Sequence, residues 1–203
     1  MTINIYNNDL PKDFHLLGDL AIDTETMGLN IHRDKLCVVQ ISNGNGDAFL
    51  IQFDKDYSAP NLKKLLLEET RGKIFHYARF DLAVIKKYLG IELNNIFCTK
   101  IASKLVRTYT DYHGLKDLCR ELLGVNISKQ QQSSHWGATV LSEDQKEYAA
   151  KDVIFLHSLR SVLIQRLMEC GRSQIAHKLF EFLPARAELD IIGWNNVDIF
   201  SHS

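Results

Sequence analysis

Asp23 and Glu25 stand two residues apart inside the apolar run Leu20-Ala21-Ile22-Asp23-Thr24-Glu25-Thr26. On a strand that spacing places both carboxylates on one face. Adjacent like charges repel. A divalent cation that takes hard oxygen ligands, Mg²⁺ or Mn²⁺, is one remedy, and a solvent-facing edge carrying two unpaired acids is the other. Two further acids bear on the choice. Asp81 closes the stretch His76-Tyr77-Ala78-Arg79-Phe80-Asp81, where an acid in the first turn of a helix is also favoured by the helix dipole. In Tyr148-Ala149-Ala150-Lys151-Asp152, the tyrosine and the acid share one helix face at i and i+4. The two alanines between them permit close approach of a neighbouring element. Taken singly, that pair also reads as a surface acid beside a half-buried core tyrosine.

The elements around these residues suggest how they are held. Three β-rich runs, 20–26, 35–42 and 48–53, have tight connections and predict an antiparallel meander. Helical spacing follows over 61–70, with Asn61 as candidate cap after Pro60. A short buried strand over 73–78 feeds a helix over 79–89 closed by Gly90, and another strand over 95–100 leads into a helical stretch. An amphipathic helix is expected over 114–124, ended by Gly124, then a polar loop over 128–137. Residues 141–171 read as one long helix or two, opened by a capping box of Ser142 and Gln145. A last helix and a weakly patterned tail complete the chain. Strands with intervening and following helices imply an α/β layer fold with a mixed sheet.

With 203 residues, 45% hydrophobic and 24% charged, the chain is neither disordered, collagenous nor coiled-coil. One domain over 1–203 is expected, with the motif-bearing core at about 20–165. The 24 basic side chains against 25 acidic ones give a net charge of −1. That leaves no global positive excess for gripping long nucleic acids, so a nucleic acid would be short or held locally. Four dispersed cysteines form no metal-spaced pair and suggest free thiols in a reducing cytoplasm. No membrane span or secretory leader is expected.

The three ordered motifs, Asp23-Thr24-Glu25-Thr26-Met27-Gly28-Leu29, His76 through Asp81, and Tyr148 through Val153, resemble the DEDD exonucleases, in the ribonuclease D-like branch with a tyrosine in its last motif. The intervening HGLKDLCRELLG, QSSHW and LSEDQ segments resemble that branch too, and the compact chain is similar to its nano-RNase C group. The resemblance implies a ribonuclease H-like exonuclease fold, with a mixed central sheet flanked by helices. It implies a 3′–5′ exoribonuclease that cuts short oligoribonucleotides, including dinucleotides, to 5′-nucleoside monophosphates, and a homo-oligomer with an octameric ring as the candidate form. The alternative is ribonuclease D-like 3′ processing of longer RNA or DNA, against which the short chain and its near-zero charge argue.

The resemblance makes Asp23, Glu25, Asp81 and Asp152 ligands to two divalent cations, Mg²⁺ or Mn²⁺, and gives Tyr148 the attacking water. Asp23 is expected to bridge the ions, with Glu25 and Asp152 on the water-activating one and Asp81 reaching the other largely through water. On the substrate side, Leu29 would wedge between the last two bases, and His76 would contact the terminal ribose or phosphate. Phe80 would stack on a base, while Thr24, Gln132 and Trp136 complete the candidates. Core packing competes for Leu29, His76 and Phe80. His135 departs from the family, which more often has Asp before the Trp, and Met27 stands where Leu is typical. A non-catalytic scaffold, or a hydrolase of other phosphates, would keep the fold without this activity.

Overall fold

A computed structural model describes every residue except Lys129, Gln132 and Ser203; the expectation for Gln132 therefore lies outside the described residues. The expected α/β architecture is observed among the described residues, as six strands in one mixed sheet of order β1-β4-β3-β2-β5-β6. The strands are β1 (Ile3–Asn7), β2 (Leu20–Thr26), β3 (Leu36–Ser42), β4 (Ala48–Gln52), β5 (Lys73–Phe75) and β6 (Ile96–Cys98). β2, β3 and β4 form the antiparallel meander. β5 joins β2 in parallel, and β6 joins β5 in parallel. Edge strand β1 lies parallel to β4 and was missed in the sequence, because its alternation over five residues is interrupted by asparagines.

Among the described residues seven α-helices surround the sheet: α1 (Pro60–Leu66), α2 (Ala78–Leu89), α3 (Thr99–Val106), α4 (Leu115–Leu118), α5 (Glu143–Ile154), α6 (Leu156–Glu169) and α7 (Ser173–Ile191). α5 packs over β2, β3 and β4, while α2 touches β2, β5 and β6 and runs against α7. With cover on both faces, β3 is buried along its whole length, as its nearly unbroken apolar sequence requires.

Several boundaries differ from expectation. α1 ends at Leu66, and its cap position is Ala59, not Asn61. Pro60 occupies the first turn, where a missing N–H costs nothing. Asn61 instead donates its amide to the Asp9 carboxylate (2.9 Å) and the Leu10 carbonyl (2.8 Å). The strands foreseen over 73–78 and 95–100 stop at Phe75 and Cys98, since Ala78 and Thr99 already begin helices. The segment 114–124 is one α-turn followed by a π-helical turn over Cys119–Leu123, closed by Gly124 in the left-handed region at φ 69°. Residues 141–171 divide into α5 and α6 at Phe155. The capping box forms as expected, with Ser142 and Gln145 exchanging hydrogen bonds.

Candidate active site

The ladder between β2 and β5 covers only Leu20–Lys73 and Ala21–Ile74. Beyond it the two strands part, and the C-terminal half of β2 borders a cleft of about 610 Å³. A crevice at the carboxyl ends of strands is the usual binding position in open α/β sheets. Asp23 and Glu25 project into it from β2, Asp81 from the first turn of α2, and Tyr148 and Asp152 from α5. Carboxylate oxygens of Asp23, Glu25 and Asp152 all lie within 4.8 Å of one another. Asp81 is outside that trio and is 3% exposed. It accepts a 2.7 Å hydrogen bond from the Thr24 hydroxyl on the opposite face of β2. Thr24 thus reaches an acid with its hydroxyl, and it also lines the cleft.

The acids are crowded and at least half-buried. Burial pushes Asp23 up to about 7, against a hydrogen bond from the Thr24 backbone N–H. Glu25 is pushed well above the usual carboxylate range by burial and then by Asp23, Asp152 and Asp81. Asp81 is raised by burial and by Asp23, with the Thr24 hydroxyl opposing. A set that resists ionisation together suits divalent cations. The nearby thiols do not compete for them. Burial, then Glu25, raises Cys37 to about 11, and burial, then Asp152, raises Cys119 to about 12. Neither thiol lines the cleft or joins the acidic trio, so the donors among the described residues are hard oxygens, which fits Mg²⁺ or Mn²⁺. Tyr148 is raised above its ordinary value by burial and then by Asp152, Glu25 and Asp23. It remains a neutral hydroxyl, hydrogen-bonded to Asp152.

These shifts predict an inverted pH dependence of stability in metal-free protein. A carboxyl raised from 3.8 to about 7 on folding binds its proton more tightly in the folded state. Stability therefore falls as pH rises through that interval. Between pH 5 and 8 the change is on the order of 3 kcal/mol, or ~6–12 °C in Tm for a chain of this size. His113 and His157, both depressed chiefly by burial, oppose it below their ordinary value. Glu121, held at about 2 by Arg107, stays ionised throughout. Melting curves in EDTA should show the higher Tm at pH 5, and excess Mg²⁺ should remove the trend. Equal or lower Tm at pH 5 would contradict the crowded-acid description.

Leu29 is 84% exposed at the mouth of the cleft, which answers core packing in the negative. Its loop is braced: the Thr26 hydroxyl donates to the Gly28 carbonyl, and Asp34 accepts from the Asn30 N–H at 2.9 Å. A Cβ at Gly28 would meet Asp34 Oδ2 at 2.4 Å, so only glycine permits this approach. Phe80 and His76 line the cleft, half-buried. Thr99 donates its hydroxyl to the Phe75 carbonyl (3.1 Å), so the 2.9 Å contact to His76 Nδ1 has the imidazole as donor. The ring's Nε2 edge is thereby set.

Trp136 is a correction. It is 1% exposed and absent from the cleft wall. Its ring packs on Tyr148 at 6.0 Å between centroids, tilted 46°. The Gln145 amide donates to Ser134 Oγ (3.0 Å) and to the His135 carbonyl (3.2 Å), tying the loop that carries Trp136 to the start of α5. Trp136 thus backs the tyrosine. Sequence reading also missed Tyr77, Lys100 and Lys116 on the wall. Lys100 Nζ sits 4.3 Å from the Tyr77 ring centroid, and Tyr77 has φ 70°, a left-handed conformation uncommon outside glycine. No residue pattern announced either feature, since both arise where β5 and β6 turn into helices.

Comparison with known proteins agrees with this geometry. A family described as 3′–5′ exonuclease matches residues 4–168. NrnC of Brucella melitensis, solved bound to pGG, is 57% identical with a TM-score of 0.96, over 100% of both chains. NrnC with bound Mg²⁺ is 56% identical, with a TM-score of 0.95 and the same coverage. Ribonuclease D of Gluconacetobacter diazotrophicus is 31% identical over 75% of this chain. The chain spans 39% of that protein's length and 22% of an Aquifex aeolicus DNA polymerase I, to which it is 38% identical over 69% of its own residues.

Proposed function

The chain belongs to the 3′–5′ exonuclease family, in its ribonuclease D-like DEDD branch with the ribonuclease H-like fold, and from that premise we propose that it degrades short oligoribonucleotides, including dinucleotides, to 5′-nucleoside monophosphates. It is a divalent-metal-dependent nuclease. The observation that carries the short-substrate reading is the likeness, over both full lengths, to a protein solved with pGG. The near-zero net charge is consistent with a local grip on a short chain.

Asp23, Glu25 and Asp152 would hold the divalent ions, with Asp81 behind them acting largely through water. Bound, such ions supply positive charge to the phosphodiester oxygens and lower the pKa of water. The residues supply the rest. Tyr148 donates a hydrogen bond to Asp152 and so offers a lone pair to the attacking water, orienting it. Burial keeps that hydroxyl neutral. Trp136 fixes the ring from behind. Leu29 enters between the last two bases and sets the scissile bond at the acids. His76 presents its outer edge to the terminal sugar, and Phe80 offers a face to a base. The proposal includes a homo-oligomeric, cytoplasmic enzyme. Exposed Trp194, Val197, Ile199 and Phe200 near the C-terminal end supply candidate contact surface.

Turnover of a 5′-phosphorylated dinucleotide should exceed that of a twenty-nucleotide RNA and of its DNA counterpart. The similarity to ribonuclease D favours the second reading, 3′ processing of longer RNA. A strong preference for the longer RNA would establish that reading in place of the first.

A further inference from the structure

Gln40 stands in the middle of β3, a strand buried at every position, and is itself 0% exposed. Neither its Nε2 nor its Oε1 has a hydrogen-bond partner among the described residues. A buried carboxamide with both ends unsatisfied destabilises a fold relative to an apolar side chain of the same shape. The register shows what it lies beside. Gln40 is directly opposite Asp23 on one side and Leu50 on the other, and opposed residues of antiparallel strands share a face at about 4.5–5.5 Å between Cβ atoms.

The neighbours along β3 and the buried residues of α5 are committed or apolar. Along β3 they are Val38 and Ser42, and the Ser42 hydroxyl donates to the Asp47 carbonyl at 2.6 Å. The buried residues of α5, which covers this face, are Gln145, Ala149, Ala150 and Val153. The Gln145 amide is already engaged by Ser134, His135 and Ser142. Among the acids bordering this face, Asp23 is the acceptor directly opposite Gln40, and Glu25 is its diagonal neighbour two residues along β2.

We propose that Gln40 is a positioning residue for the metal site, its carboxamide N–H donating to the Asp23 carboxylate when a divalent cation holds that carboxylate in place. The inference rests on the divalent-ion reading of the acids and deepens it, by adding a buried neutral partner that orients a ligand from the neighbouring strand. Partners of this kind commonly govern metal affinity by 10- to 100-fold. The amide is kept in an apolar layer because it acts in the ion-loaded state, and it contributes nothing to the metal-free fold.

The test is Gln40→Met in the full chain, with Gln40→Leu as a second apolar variant. Mn²⁺ binding is titrated by calorimetry without nucleic acid, and melting is followed in EDTA. The expected result is a dissociation constant for Mn²⁺ raised ~10-fold or more, with the EDTA melting temperature unchanged or higher. Mn²⁺ affinity within twofold of wild type overturns the inference. So does a lowered EDTA melting temperature, or failure of both variants to fold, because either marks a structural role. Wild-type protein that binds no Mn²⁺ removes the divalent-ion reading itself, an outcome distinct from unchanged affinity in the variant.

Discussion

Asp23→Asn should reduce kcat by ~10³- to 10⁵-fold and at the same time make the metal-free protein more stable. The two effects have one cause. Asp23 contributes one of the carboxylate oxygens gathered within 4.8 Å, and removing a ligand forfeits several kcal/mol of transition-state charge stabilisation, at 1.36 kcal/mol per decade of rate. In the absence of cations the same carboxylate is a liability, pushed up to about 7 by burial and itself raising Glu25 and Asp81. The amide has the same shape and no charge. The EDTA melting temperature should therefore rise at pH 8, and the pH trend expected of wild type should flatten. Steady-state hydrolysis of a short oligoribonucleotide with Mg²⁺, together with melts in EDTA, reads both. Wild-type turnover would remove Asp23 from the site. A lower metal-free melting temperature would show that the acid is a structural hydrogen-bonding group.

Local spacing made the pairing of these side chains legible, and the family resemblance made the acids ligands. Asp23 and Glu25 share a face through the strand period, and Tyr148 and Asp152 through the helix period. The capping box at Ser142 is equally local, and it placed the start of α5 correctly. What spacing cannot show is which element lies behind a side chain. Trp136 sits in a polar loop, and its burial against Tyr148 depends on Gln145 reaching back to Ser134 and His135. Thr24 lies between two ligand candidates, yet its hydroxyl belongs to Asp81, 57 residues away. Asn61 had the chemistry of a helix cap, but Asp9 claims it. Gln40 drew no attention because an amide within a β-rich run carries no signal until the register sets it beside Asp23.

Tyr148→Phe isolates the hydroxyl from everything else the tyrosine does. The ring's packing on Trp136, at 6.0 Å, needs no oxygen, so the fold should persist and Mn²⁺ affinity should stay near wild type. Loss of a single positioned group that acts in the reaction step costs about 10²- to 10³-fold in kcat, and KM should change little, because the hydroxyl contacts the water and not the bases. The pH dependence decides how the hydroxyl works. Burial and the surrounding acids hold Tyr148 protonated above its ordinary range, so it does not titrate where the enzyme is assayed. The variant's pH–rate profile should then be displaced downward with its limbs at the same pH as in wild type. If wild type instead shows an alkaline rise that the variant loses, the tyrosine acts as an ionised base. If the variant keeps wild-type kcat, the water is held by the acids alone, and the packing of Trp136 serves only the fold.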